Sequence, residues 1–72
     1  MTEAAHSRRR QGAIREFDSV SGLGLISTAD GVEYAFHCIE IADGSREIEV
    51  GAEVTFATLA KFGRYEAADI TP

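Results

Sequence analysis

Beyond Gly12 the apolar residues come in short runs, each closed by a glycine-bearing or acidic turn signal. That punctuation leaves room for short strands and none for long helices. Residues 13–18 read as a first strand, with Ile14 and Phe17 as its apolar members. Residues 25–28 read as a second. Asp30-Gly31 then signals a hairpin, since a type I′ turn needs positive φ. Residues 32–37, rich in β-branched and aromatic side chains, make a third strand. Residues 38–50 read as a long loop with one short helical turn at 39–42. Residues 53–59 and 65–71 make the fourth and fifth strands, joined by a hairpin loop over 61–64. Five short strands in 72 residues predict one small all-β domain, and closure into a barrel removes the exposed edges of so small a sheet.

Alternation along the strands sorts the side chains into two faces. One consistent assignment puts Ile26, Tyr34, Phe36, Val54 and Phe56 inside. Leu23, Leu25, Ala35 and His37 then face outward together on neighbouring strands, so function is sought there.

Charge divides the chain unevenly. Residues 1–11 carry three arginines and one glutamate, whereas residues 12–72 carry four cations and eleven acids, a net −7. A body of that sign repels polyanions at long range and disfavours tight duplex binding, which leans on Lys and Arg contacts to phosphate. Residues 1–11 are expected to form a flexible basic arm, with Arg8, Arg9 and Arg10 available to nucleic acid, ahead of a domain over 12–72.

Several classes are disfavoured. No apolar run approaches the ~18 residues of a membrane span, and residues 1–7 hold no stretch resembling a signal peptide. A lone Cys38 forms no internal disulfide, and an intracellular, cytoplasmic setting is expected. Cys38 and two histidines are too few for a structural zinc site, and Cys38 is expected to point away from His37. Neither a cofactor nor a bound metal is expected. Glu47, Glu49 and Glu53 read as a solvated rim, and no Ser/His/Asp constellation can be built, so the chain is not read as an enzyme. Ser21-Gly22-Leu23-Gly24 is a poor phosphate loop, and its glycines read as a tight turn into a strand.

From Gly12 to Thr71 the sequence resembles the cold-shock domain family. Gly12-Ala13-Ile14-Arg15-Glu16-Phe17-Asp18 is similar to G-x-V-K-W-F-N. Ser21-Gly22-Leu23-Gly24-Leu25-Ile26 stands where the first RNP motif, K-G-F-G-F-I, would be. Tyr34-Ala35-Phe36-His37 stands for the second, V-F-V-H. Ile48 to Phe56 is similar to L-x-x-G-x-x-V-x-F, and Glu66-Ala67-Ala68-Asp69-Ile70 to Q-A-A-N-V. The resemblance implies a five-stranded antiparallel OB-fold β-barrel that binds single-stranded RNA or DNA by stacking bases on outward aromatics.

The residues at the stacking positions differ from that pattern. Leu23, Leu25 and Ala35 replace phenylalanines, Glu16 replaces the tryptophan, and Cys38 holds a commonly aromatic place. Each base–aromatic stack is worth ~1–3 kcal/mol, so losing three or four removes ~3–10 kcal/mol even if the losses add imperfectly. The expectation is a single-strand binder with an attenuated stacking surface. Its candidate contacts are Arg15, Phe17, Leu23, Leu25, His37, Lys61 and Arg64. His37 reads equally well as an ordinary surface residue. A protein-interaction module is the alternative, using Leu23 and Leu25 with Phe62 as a further anchor.

Overall fold

The computed structural model describes residues 9–44, 47–61 and 63–72, with Lys61 described by its backbone alone. Five strands run in chain order as β1 (Arg10–Asp18), β2 (Leu23–Thr28), β3 (Glu33–His37), β4 (Glu53–Lys61) and β5 (Arg64–Thr71). A single 3-10 turn, Cys38–Glu40, follows β3. The strands close into a barrel in the order β1-β2-β3-β5-β4, so all five meet a neighbour on each side. Pairing is antiparallel throughout except at the β3–β5 seam, which is parallel.

The β2–β3 hairpin forms where Asp30-Gly31 placed it, but with different geometry. Gly31 N–H donates to Thr28 O at 3.0 Å, and Gly31 takes φ +85°. Asp30 stays at negative φ, so the loop is a three-residue turn ending in a left-handed glycine rather than type I′. Thr28 Oγ1 donates to Asp30 Oδ1, which holds that carboxyl below the usual carboxylate range.

The barrel interior is filled by Ile14, Ile26, Phe36, Val54, Phe56, Ala67 and Ile70. Four of the five residues assigned inside by alternation are buried. Tyr34 is half-buried, tilted against Phe56 at 5.3 Å between centroids, with the Arg10 guanidinium over its ring at 5.9 Å.

Two bulges make this packing compatible with the sequence. Ile14 and Phe17 are three residues apart, and a regular strand would turn them to opposite faces. Ile14 pairs with Ile26 and Glu16 pairs with Leu25, so Arg15 is the extra residue. The bulge returns Phe17 to the core side, where its ring stacks on Phe36 at 6.0 Å and 7°. Ala67 and Ile70 pose the same problem on β5. Thr55 pairs with Thr71 and Ala57 with Ala68, and Asp69 takes the left-handed φ of +52° that absorbs the extra residue. Both Ala67 and Ile70 are thereby buried.

Arg9 fastens the second bulge. Its Nη1 donates to Asp69 Oδ2 at 2.9 Å. Its Nη2 donates to Asp69 O at 2.7 Å, Thr55 O at 3.0 Å and Thr71 Oγ1 at 3.2 Å. Glu40 Oε1 accepts the Asp69 amide at 3.3 Å. The boundary expected at Gly12 therefore moves forward: β1 begins at Arg10, and Arg9 is bound to β4 and β5 rather than lying in an arm. The guanidinium fork reaches two backbone carbonyls, a threonine hydroxyl and a carboxylate at once, which fixes this part of the chain against the bulge. Arg8 lies outside the described residues.

Arg9→Ala is expected to cost ~1–3 kcal/mol, from charge-assisted hydrogen bonds to carbonyls more than from the exposed ion pair. Arg9→Lys should recover little, because a point donor cannot replace the fork. Urea unfolding of the full chain measures both, and a loss under ~0.5 kcal/mol would be the size of an ordinary surface substitution.

Candidate nucleic-acid interface

The outer face of β1, β2 and β3 is built by register. Leu23 lies opposite His37, and Leu25 opposite Ala35. Glu16 lies opposite Leu25 on the β1 side, and Glu66 opposite Ala35 on the β5 side. One row across four strands therefore reads Glu16, Leu25, Ala35, Glu66: two aliphatic side chains between two carboxylates. The next row reads Asp18, Leu23, His37. Leu23 is 56% exposed, and Leu25, Ala35 and His37 are half-buried, so the outward assignment of all four stands.

Glu16, Asp18, Leu23, Leu25 and Ala35 line an open groove together with Arg15, Phe17 and Val50, and His37 and Glu66 lie outside that lining. Gly24 shapes it. A Cβ there would meet the Phe36 ring at 2.5 Å and Glu16 O at 2.8 Å, so glycine is required by close ring approach rather than by a turn. Gly22 is the turn residue, with φ +80°. Asp18 Oδ1 accepts Val20 N–H at 2.9 Å and so shapes the β1–β2 turn.

The candidate residues are distributed unequally. Phe17 is half-buried and committed to its stack on Phe36, with part of the ring still facing the groove. Arg15 projects from the bulge and pairs with Glu33 at 3.0 Å, both partly exposed. Such a pair contributes ~0–1 kcal/mol, so a phosphate can compete for the guanidinium. His37 has a structural task. Its Nδ1 accepts the Ile39 amide at 3.2 Å and caps the 3-10 turn, which leaves the proton of the neutral ring on Nε2.

Cys38 does not point away from His37 as expected. Its Sγ lies 3.9 Å from His37 Nδ1, because the strand ends at His37 and alternation stops there. No cluster of three or more His, Cys, Asp or Glu side chains suited to a metal occurs among the described residues.

Arg64 reaches a second hollow, shared with Tyr65, Val32 and Glu33, whose inner wall is again Leu25 and Ala35. The two hollows are thus contiguous. The Lys61 side chain and Phe62 lie outside the described residues. Arg10 lies over Tyr34 and Arg9 on the β5 bulge, so neither reaches the groove. Val50 and Tyr65 were not singled out by the sequence. The sequence places Val50 in a long loop and Tyr65 in the fifth strand. The signal for Tyr65 was an aromatic directly after the turn pair Gly63-Arg64.

A closed five-stranded barrel in this order, with a groove on its β2–β3 side, defines an OB-fold domain of the kind that holds oligonucleotides. Residues 10–72 match the model of the family described as "'Cold-shock' DNA-binding domain", and the chain belongs to the cold-shock domain family. These are non-enzymatic domains that bind single-stranded nucleic acids. A search of curated proteins found no match.

Proposed function

We infer that this chain is a cytoplasmic binder of single-stranded RNA or DNA with an attenuated stacking surface. The observation that carries this reading is the row Glu16, Leu25, Ala35, Glu66. Where the family stacks bases, this chain offers two aliphatic side chains framed by carboxylates. Leucine side chains still bury the face of a base, but without the ring–ring term. Glu16 and Glu66 add repulsion toward a backbone laid along the row. Arg15, Arg64 and the exposed part of Phe17 are the contacts that remain in the two hollows, with the Nε2 edge of His37 beside Leu23 in the neighbouring row.

Fluorescence titration of the full chain with labelled oligothymidylate and oligouridylate tests this. The expected Kd is weaker than ~1 µM even at low salt, or less than ~8 kcal/mol of binding free energy. The salt dependence should be shallow, at ~0.7 logarithmic units per phosphate neutralised and only about two or three phosphates engaged. Submicromolar affinity would overturn the attenuation. No binding at any salt would favour the second reading, a protein-interaction module, for which the apolar floor of Leu23, Leu25 and Val50 within a carboxylate rim is the supporting observation.

A further inference from the structure

Tyr65 is the only exposed aromatic among the described residues. Phe36 and Phe56 are buried, and Phe17 and Tyr34 are half-buried against them, whereas Tyr65 is 62% exposed. It is ordered by the β4–β5 ladder, where it lies opposite Ala60, a side chain too small to cover a ring. Its hollow continues the main groove through Leu25 and Ala35. Arg64, adjacent in the same hollow, has no ion-pair partner among the described residues.

We propose that Tyr65 is a base-stacking platform, moved from the RNP strands to the start of β5, with Arg64 holding a neighbouring phosphate. This deepens the reading of a single-strand binder and rests on it. The path then runs from Phe17 over Leu23 and Leu25 to Tyr65. It crosses β1, β2, β3 and β5, three inter-strand steps of ~4.8 Å each. An exposed ring and an adjacent guanidinium are the two elements that sequence-tolerant single-strand binding uses. Both stand at the end of the row where the aliphatic floor gives out.

The test compares the full chain with Tyr65→Ala and Tyr65→Phe, using oligothymidylate of about seven nucleotides, inside the ~4–16 nucleotides of one OB fold. An abasic deoxyribose-phosphate oligomer of equal length is the second probe. Tyr65→Ala should weaken oligothymidylate binding roughly 5- to 140-fold, the range for one base–aromatic stack. Tyr65→Phe should hold it within about twofold, because the ring rather than the hydroxyl carries the stack. Neither change should alter binding of the abasic probe. In a Tyr34→Phe background Tyr65 is the sole tyrosine and the chain has no tryptophan, so oligothymidylate should quench its emission directly. If the parent chain binds and Tyr65→Ala binds equally well, the platform is refuted while the single-strand reading stands. If Tyr65→Ala weakens both probes alike, Tyr65 does not stack. If the parent chain binds neither probe, the single-strand reading fails and the platform with it.

Discussion

Replacing Leu23, Leu25 and Ala35 together by phenylalanine raises the affinity for single-stranded oligonucleotides by at least ~100-fold, since three restored platforms are worth ~1–3 kcal/mol each and even the low end of their sum exceeds two decades. The register makes this geometrically sound. Leu25 and Ala35 are direct cross-strand partners, so two rings there would stand side by side with Cβ atoms ~5 Å apart, and Leu23 is the diagonal neighbour. All three positions face outward over an open groove, so added volume meets solvent rather than core. The carboxylates remain in place in the triple variant. An affinity gain well short of 100-fold would therefore identify Glu16 and Glu66, rather than missing rings, as what weakens the face. Adding Glu16→Gln and Glu66→Gln should then release the remainder. Titration with oligothymidylate at two salt concentrations separates the cases, because the carboxylate contribution fades as salt rises and the stacking contribution does not.

The second large effect concerns the core. Phe56→Ala is expected to cost ~3–5 kcal/mol. A chain of 72 residues has a total stability of ~4–11 kcal/mol, so this one side chain decides whether the barrel is populated. Phe56 is fully buried and lies between Tyr34, Val54 and the underside of Gly12, where an added Cβ would already come within 3.4 Å of its ring. It therefore fills the place where β1 crosses β4, and the backbone there, pairing Gly12 with Val54, is not free to collapse into the hole. The melting temperature should fall by roughly 15–30 °C. Phe56→Leu, which leaves a smaller cavity, should lose less than half as much. A cost below ~1 kcal/mol for Phe56→Ala, measured by urea unfolding, would contradict a single shared core.

Much of the architecture was readable from alternation and turn residues. Ile26, Phe36, Val54 and Phe56 sit inside and Leu23, Leu25, Ala35 and His37 outside, because strands of five to nine residues leave side chains only two faces to choose from. The bulges were written in the same residues yet went unread. Ile14 with Phe17, and Ala67 with Ile70, are apolar pairs at a spacing of three, which a strand can bury on one side only by adding a residue. Arg9 illustrates a different obstacle. Next to two other arginines it looks like part of a basic arm, and nothing local reveals that its partners, Thr55, Asp69 and Thr71, stand 46 to 62 residues further on. Val50 joins the site through tertiary placement alone, whereas Tyr65 carries only the faint signal of an aromatic after a turn.

Between β3 and β5 the ladder holds one pair, Ala35 with Glu66, and past the 3-10 turn Ile41 bridges Ile70 and Ala42 N–H donates to Ile70 O at 2.8 Å. This seam is the thinnest joint of the barrel, and it runs directly beneath the aliphatic row. A strand of nucleic acid reaching from Leu25 to Tyr65 would straddle that joint like a hoop over two staves. Occupancy and closure would then be one equilibrium, with the ligand drawing the wall tight and a gaping wall letting the ligand go.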